Sequence, residues 1–387
     1  MSTQKHRMPK VTIVQRIVPH YRVPLFKLLH ERLAAHGMSF QLVYGQEYSG
    51  TVPVSIPLEA PWATRIHNSY FPGPGGRVVW QPAWGHVRDS HLIIIEQASA
   101  YLFNYWLLLC RRLIGTKVAY WGQGISVRAK NPDSVPERVK ALLLKDVDWW
   151  FAYTQHTYRI VEKRGFSPDR ITVVENAVDN DQFQKSLEST SSEEVSRLKS
   201  TLGITSGPVG LYCGAFIPPK RMDFLIAACR LLKEKFPGFH AVLIGSGPEE
   251  YKCRDAAANS SWMHYVGPKF DGERAVYFKA SDVLLQPGTI GLVCVDSFVA
   301  GLPLFTTDLP SHGPEITFLK HGENGWIAQD DLHRYVDAVS TYLQTPELQD
   351  RLKKGCHSSA KLYTMDSMAD NFSSGIVRCL SARHANR

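Results

Sequence analysis

The stretch Pro287–Trp326, PGTIGLVCVDSFVAGLPLFTTDLPSHGPEITFLKHGENGW, constrains this chain more than any other. A short apolar run before it, Val283–Gln286, reads as a buried strand that enters a glycine-containing loop. An apolar helix follows and is stopped by Gly301 and Pro303. Another short strand comes next, at Leu304–Thr306, then a loop holding Gly313-Pro314-Glu315. Strand, loop, helix and strand in this order build parallel sheet, and such loops aim free helix N–H groups beyond the strand ends. Gly291 and Leu292 would supply backbone donors there. Asp296 in the helix and Glu315 in the next loop would supply acceptors. This set suits a ligand that carries both phosphate and hydroxyl groups.

The same alternation runs through most of the chain. Val11–Gln15, Phe40–Tyr44, Leu92–Ile95, Val118–Trp121, Trp149–Tyr153 and Ile171–Val174 read as strands of a first unit. Its first helix is Tyr21–His36, with Leu25, Leu28, Leu29 and Leu33 on one face. Pro208–Cys213, Ala241–Ile244, His264–Val266, Val283–Gln286 and Leu304–Thr306 read as strands of a second unit, with a helix at Arg221–Phe236. This pattern predicts an α/β fold of two Rossmann-like domains with mainly parallel sheets, facing each other across a cleft. The polar run Leu187–Glu194 (LESTSSEE) reads as the linker side of a boundary near residue 180. The predicted domains are residues 1–180, residues 181–362 and a C-terminal helix at residues 363–387 that packs back on the first domain.

A length of 387 residues suits two domains, and 44% hydrophobic with 21% charged residues is the balance of a folded protein. The net charge of +8 favours anionic partners. The seven cysteines stand apart, with no Cys-x-x-Cys pair, which predicts reduced, mostly buried thiols and no metal. Met1–Lys10 is polar and basic, so no secretion signal is expected. The most apolar stretch, Ala98–Cys110, is short and contains Asn104, so it reads as a buried helix ending at the cations Arg111 and Arg112. A surface-bound helix is the alternative there. No recognition helix or aromatic-basic motif supports nucleic-acid binding.

Several motifs together resemble the GT-B-fold retaining glycosyltransferases of the large bacterial class that uses nucleotide sugars (glycosyltransferase family 4-like, group 1). Val14–Pro24 is similar to that family's opening strand and loop. Tyr120-Trp121-Gly122-Gln123-Gly124 is similar to a mid-domain motif whose fourth residue is usually His. Glu175-Asn176-Ala177-Val178-Asp179 resembles its Asn-Gly-Val-Asp signature, and Gly245-Ser246-Gly247-Pro248 its Gly-Asp-Gly-Pro turn. Gly214 to Arg221 resembles a Gly-Arg…Lys-Gly phosphate segment, and Pro287–Trp326 the paired-acid motif. There are departures. Gly288 stands where the first acid belongs, Asp296 at the second, Ala215 at the phosphate Arg, Arg221 at the Gly beside Lys220, and Gln123 at the His.

The resemblance implies a retaining, metal-independent transfer of a sugar from a nucleoside diphosphate sugar to a glycan or lipid-linked acceptor, in surface polysaccharide biosynthesis. It needs no cofactor beyond that co-substrate. Lys220 and Arg221 are expected on the diphosphate, where the anion would relieve two cations at a helix start. Two solvated surface charges are the alternative. Gly214, Gly288, Gly291, Leu292, Asp296 and Glu315 are expected on the donor, with Asp296 on the ribose. A structural hydrogen bond is the alternative for Asp296, and a dipole-favoured helix acid for Glu315. His20, Arg22 and Gln123 are expected on the acceptor. Gly288 predicts an enlarged pocket for a substituted, deoxy or acidic sugar. Trp149 and Trp150 read as core. Arg128, Lys130, Arg138 and Lys140 read as a solvated face, with contact to an anionic membrane second. The expected location is cytoplasmic, peripheral at the inner face of the membrane. The rival readings are a GT-B epimerase or phosphorylase and a non-catalytic nucleotide-sugar-binding protein.

Overall fold

The computed structural model describes residues 8–49, 57–73, 76–124 and 146–382. The basic run Arg128, Lys130, Arg138 and Lys140 lies outside the described residues. The chain divides into two compact units, Met1–Asn176 with Met365–Arg387, and Ala177–Thr364. Both are α/β units built on parallel sheet.

In unit 1 the strands are β1 (Lys10–Gln15), β2 (Ser39–Tyr44), β3 (Ala63–Arg65), β4 (Ser69–Gly73), β5 (Gly76–Trp80), β6 (Leu92–Glu96), β7 (Lys117–Gly122), β8 (Trp149–Ala152) and β9 (Ile171–Val173). Seven of them form one sheet in the order β3-β2-β1-β6-β7-β8-β9, every pair parallel. β4 and β5 form a separate antiparallel hairpin. Sequence reading missed β3 and this hairpin, because three half-exposed residues and a Pro-Gly-containing ribbon carry no continuous apolar run. The central strands are buried along their length, as parallel strands covered on both faces must be. Trp149 and Trp150 lie in that core.

The last helix, Met365–Ser381, belongs to unit 1. Its Phe372 stacks on Phe151 of β8 with ring centroids 4.4 Å apart. Its C-terminal carbonyls are met by a buried cation: Lys117 Nζ donates to Cys379 O at 2.7 Å and Leu380 O at 3.2 Å. A cation at a helix C-terminus opposes the negative end of the dipole and satisfies carbonyls that have no helical partner. The helix Leu102–Ile114 ends differently. Arg111 is buried and paired with Asp146 at 3.3 Å and Asp148 at 3.2 Å.

Unit 2 holds β10 (Val209–Cys213), β11 (His240–Ile244), β12 (Met263–Tyr265), β13 (Val283–Leu285), β14 (Leu304–Thr307) and β15 (Gly325–Ala328). Their order is β12-β11-β10-β13-β14-β15, again all parallel. Alternate residues feed the two faces. Leu211 joins the core with Phe298 and Leu304, and Tyr212 the core with Leu225 and Tyr335. The sequence LESTSSEE is not a linker. It ends the helix Asn180–Ser189 and starts the helix Ser192–Thr201. Ser191 and Glu194 form a reciprocal capping box there, because Ser-x-x-Glu spacing matches two orphan N–H groups. Six of the seven cysteines are buried, and all are free thiols.

Replacing Lys117 with Met removes the ammonium and strands the helix-end carbonyls. Charge-assisted hydrogen bonds of this kind contribute about 1.5–3 kcal/mol. A fall of that size in unfolding free energy, read from urea denaturation, is expected.

Candidate functional site

The strand order of unit 2 reverses between β10 and β13, and in open α/β sheets ligands bind beyond the carboxyl ends of the strands at such a switch point. Two loops leave there, residues 214–221 after β10 and residues 286–292 after β13. They are joined main chain to main chain. Thr289 N–H donates to Pro219 O at 2.9 Å, and Lys220 Nζ donates to Thr289 O. The end of β14 holds the second loop from below. Thr306 Oγ1 donates to Gly288 O at 3.1 Å and Thr307 Oγ1 to Pro287 O at 2.8 Å. On the other side, Phe216 N–H donates to Ser246 O at 2.8 Å, and a Cβ on Gly245 would lie 1.9 Å from Gly214 O. Gly214 thus lies where a neighbouring loop presses on its carbonyl.

This packing overturns one expectation. Gly288 does not mark an enlarged pocket. A Cβ there would stand 2.4 Å from Pro219 O and 2.5 Å from Lys220 Cα, so the main chain of the neighbouring loop already fills the space. The missing side chain permits loop contact, and Gly288 is buried. Gly291 is different. A Cβ on it would meet nothing within 4 Å, and it sits half-buried just before the helix Val293–Ala300, with Leu292 as the N-cap.

The charged residues fall into three groups. Lys220 ends a short 3-10 turn, Pro218–Lys220, and is half-buried. Burial pushes its pKa below the usual value, against the pull of Cys294 and Glu315. Arg221 follows with φ 58° and ψ 56°, the left-handed conformation that favours glycine and costs other residues about 1–2 kcal/mol. That backbone requirement explains a glycine at this point in the motif it resembles. The Arg221 guanidinium lies 4.3 Å from the Phe224 ring centre, 3.4 Å from Thr307 Oγ1, and is paired with Asp330. Arg221, expected beside Lys220 on the diphosphate, thus has its charge matched by Asp330 in this structure.

Asp296 is 6% exposed and paired with Arg274 at 2.7 Å, so the structural hydrogen bond weighed from the sequence is present. Burial pushes its carboxyl pKa up and Arg274 draws it back. Arg274 also stacks over Phe183 at 4.9 Å. Sequence reasoning missed Arg274. A short helix, Ala275–Lys279, and β13 with its loops separate it from Asp296, and no local pattern links them. Glu315 is buried in the 3-10 turn Pro314–Phe318, its carboxylate folded back toward Gly313.

His312 was also missed. It bridges two of these loops. Ile290 N–H donates to its Nδ1 at 3.2 Å, and its Nε2–H donates to Thr307 O at 2.7 Å. The bond accepted at Nδ1 needs the neutral ring, and burial pushes its pKa below the ordinary 6.5.

In unit 1, His20 and Arg22 lie in the 3-10 turn after β1. His20 is exposed, its ring edge-on to Tyr21 at 5.7 Å. Arg22 is buried, 4.4 Å from the Trp121 ring centre. Gln123 is half-buried just past β7. Among the described residues no cluster of His, Cys, Asp or Glu is arranged to hold a metal ion.

Residues 207–345, which contain every unit 2 residue named at the switch point, match the family model of the Glycosyl transferases group 1. This segment is similar to the group 1 glycosyl transferases. Around it the likeness is more distant. A Klebsiella pneumoniae "uncharacterized 41.2 kDa protein in cps region" is 24% identical over 228 residues, 57% of this chain and 59% of that protein. The chain thus spans about three fifths of that curated relative. A phosphatidyl-myo-inositol mannosyltransferase of Mycobacterium tuberculosis is 21% identical over 173 residues, 42% of this chain and 45% of that one. Among solved structures, Anabaena HepE in complex with UDP superposes with a TM-score of 0.69 at 14% identity, over 96% of this chain and 100% of that one. The chain has the GT-B fold.

Two outcomes follow for unit 2. Gly288→Ala forces two main-chain segments apart, and overpacking of this kind costs about 1–3 kcal/mol. A lowered thermal midpoint is expected with every sugar nucleotide tried, and a gain in activity with any of them would contradict the packing. His312 has a depressed folded pKa, so the unfolded chain takes up the proton first. Its contribution is complete above pH 6.5 and is lost as pH falls below it. The drop in thermal midpoint between about pH 7.5 and about pH 5.5 should shrink in His312→Gln.

Proposed function

We propose that the chain transfers a sugar from a nucleoside diphosphate sugar to a glycan or lipid-linked acceptor, with retention at the anomeric carbon. One observation carries this reading. The half-buried Lys220 and the open helix start at Gly291 and Leu292 meet at the switch point of unit 2, inside the segment that matches the group 1 family. The donor's diphosphate lies on the Lys220 ammonium and the N–H groups beside Gly291. Preorganised positive charge there stabilises the leaving diphosphate and needs no metal. Asp296, held by Arg274, accepts the ribose hydroxyls, and Glu315 lies with Lys220 on the donor side. Arg221 acts on position, holding the left-handed turn that aims Lys220.

The acceptor belongs to unit 1, with His20, Arg22 and Gln123 as contacts. Its hydroxyl oxygen forms the new bond to the anomeric carbon on the face from which the diphosphate leaves. The hydroxyl proton passes to the departing phosphate oxygen, so no protein base is required. The solved structure that carries UDP supports a nucleotide donor, and the mannosyltransferase relative supports sugar transfer. A role in surface polysaccharide synthesis is supported by the Klebsiella relative in its cps region. Reversible attachment to an anionic cytoplasmic membrane face is the proposed setting. The net charge of +8 and the exposed Leu109 on the helix Leu102–Ile114 support it. Among the described residues no helix is long and apolar enough to cross a membrane.

A panel of sugar nucleotides, read by thermal stabilisation and then by product formation with and without EDTA, tests the assignment. Stabilisation by nucleoside diphosphates and EDTA-insensitive transfer are expected. Lys220→Ala removes one charge-assisted bond and should weaken nucleoside diphosphate binding by about tenfold or more. Asp296→Asn should weaken binding of ribose nucleotides but not of their 2′,3′-dideoxy analogues. Equal losses for both would move Asp296 to a purely structural role.

A further inference from the structure

The second switch point, in unit 1, carries a charge that has no ion-pair partner among the described residues. The strand order β3-β2-β1-β6 reverses between β1 and β6. At or just beyond the carboxyl ends of β1, β6 and β7 lie Arg16, Arg22, Glu96, Tyr101 and Trp121. Arg16 is provided for: its Nε donates to Tyr101 Oη at 3.2 Å, and its backbone N–H donates to Glu96 Oε2 at 3.2 Å.

Arg22 is not provided for in the same way. It is 9% exposed, with its guanidinium over Trp121. Nη2 reaches Tyr153 Oη at 3.3 Å and Asn176 Oδ1 at 3.4 Å, both neutral acceptors at long range. Nη1 is buried and has no hydrogen-bond partner among the described residues, and the same holds for Nε1 of Trp121. Glu96 is the nearby carboxylate, but it already accepts from Arg16, and burial pushes its pKa up, which weakens its charge. A cross-link from Arg22 to Tyr153 and Asn176 would explain Nη2. It leaves Nη1 unexplained, since a buried guanidinium edge with no acceptor is unfavourable. Stacking on the indole covers the face of the guanidinium, so an oxyanion would meet it at the edge, through in-plane bonds that include the unpartnered Nη1.

We propose that unit 1 has an oxyanion site of its own at Arg22, and that it binds a phosphate group carried by the acceptor. This rests on the reading that unit 1 holds the acceptor. The phosphate is either the headgroup of a lipid-linked acceptor or that of a free sugar phosphate.

The test is peptide-resolved hydrogen–deuterium exchange on the full chain with millimolar inorganic pyrophosphate. Slower exchange is expected in two places, residues 16–24 with 149–176 in unit 1 and residues 214–221 with 286–292 in unit 2. Arg22→Gln should abolish only the first, and Lys220→Ala only the second. Arg22→Lys, which keeps the charge and loses the fork, should weaken the first by about tenfold and serves if the Gln variant does not fold. Wild-type protein with no protection in unit 1, or protection that persists in Arg22→Gln, overturns the site. Wild-type protein protected in unit 1 but not in unit 2 would instead count against the donor assignment. In a second arm a short-chain alkyl phosphate replaces pyrophosphate. Tighter protection of unit 1 by the alkyl ester assigns the lipid-linked source, and equal or weaker protection assigns the free sugar phosphate.

Discussion

The hydrogen bond from Thr289 N–H to Pro219 O is the contact on which the candidate donor site depends. It joins two loops that are about seventy residues apart in sequence and closes them over Gly288, where a side chain would have to displace main chain. Main-chain joints of this kind resist deformation because neither partner has rotamers to relax into. Thr306, Thr307 and His312, from the next strand and loop, make three further bonds to the second of these loops, at Gly288, Pro287 and Ile290. Lys220, Arg221 and the helix start at Val293 are therefore positioned by backbone, and their side chains inherit that position.

Around this frame, two of the charged residues at the site have close opposites. Asp296 has Arg274 and Arg221 has Asp330. Lys220 has a carbonyl, from Thr289, and feels Glu315 only as one of several more distant charges. An ammonium held by a neutral partner retains most of its capacity to attract an anion, whereas one paired with a carboxylate does not. That difference separates Lys220 from Arg221, which stand side by side in the sequence and looked equivalent there.

The two units share one construction. Each is a parallel sheet that starts in the order third, second, first, fourth, and each places its unusual polar residues where that order reverses. In unit 1 the residues are Arg16, Arg22 and Glu96, and in unit 2 Lys220 and Asp296. Burial at these places carries a free-energy cost in both units, because strand ends covered by loops keep water away from the charges.

Sequence alone determined the layered α/β class, most of the strands and the position of Asp296, because buried parallel strands need continuous apolar runs and helices need a 3.6-residue period. Those signals are local and survive in one chain without context. It also placed Lys220 and Gly291 in loops after strands, since glycine, proline and charge mark such loops. The pairing of Asp296 with Arg274, the bridge through His312 and the neutralisation of Arg221 by Asp330 were decided only by tertiary structure. Each joins residues that no periodicity relates. The reading of Gly288 shows the same limit in one residue. A missing side chain looks identical in sequence whether the space beside it is open to a ligand or filled by another loop, and only the fold brings Pro219 into that space.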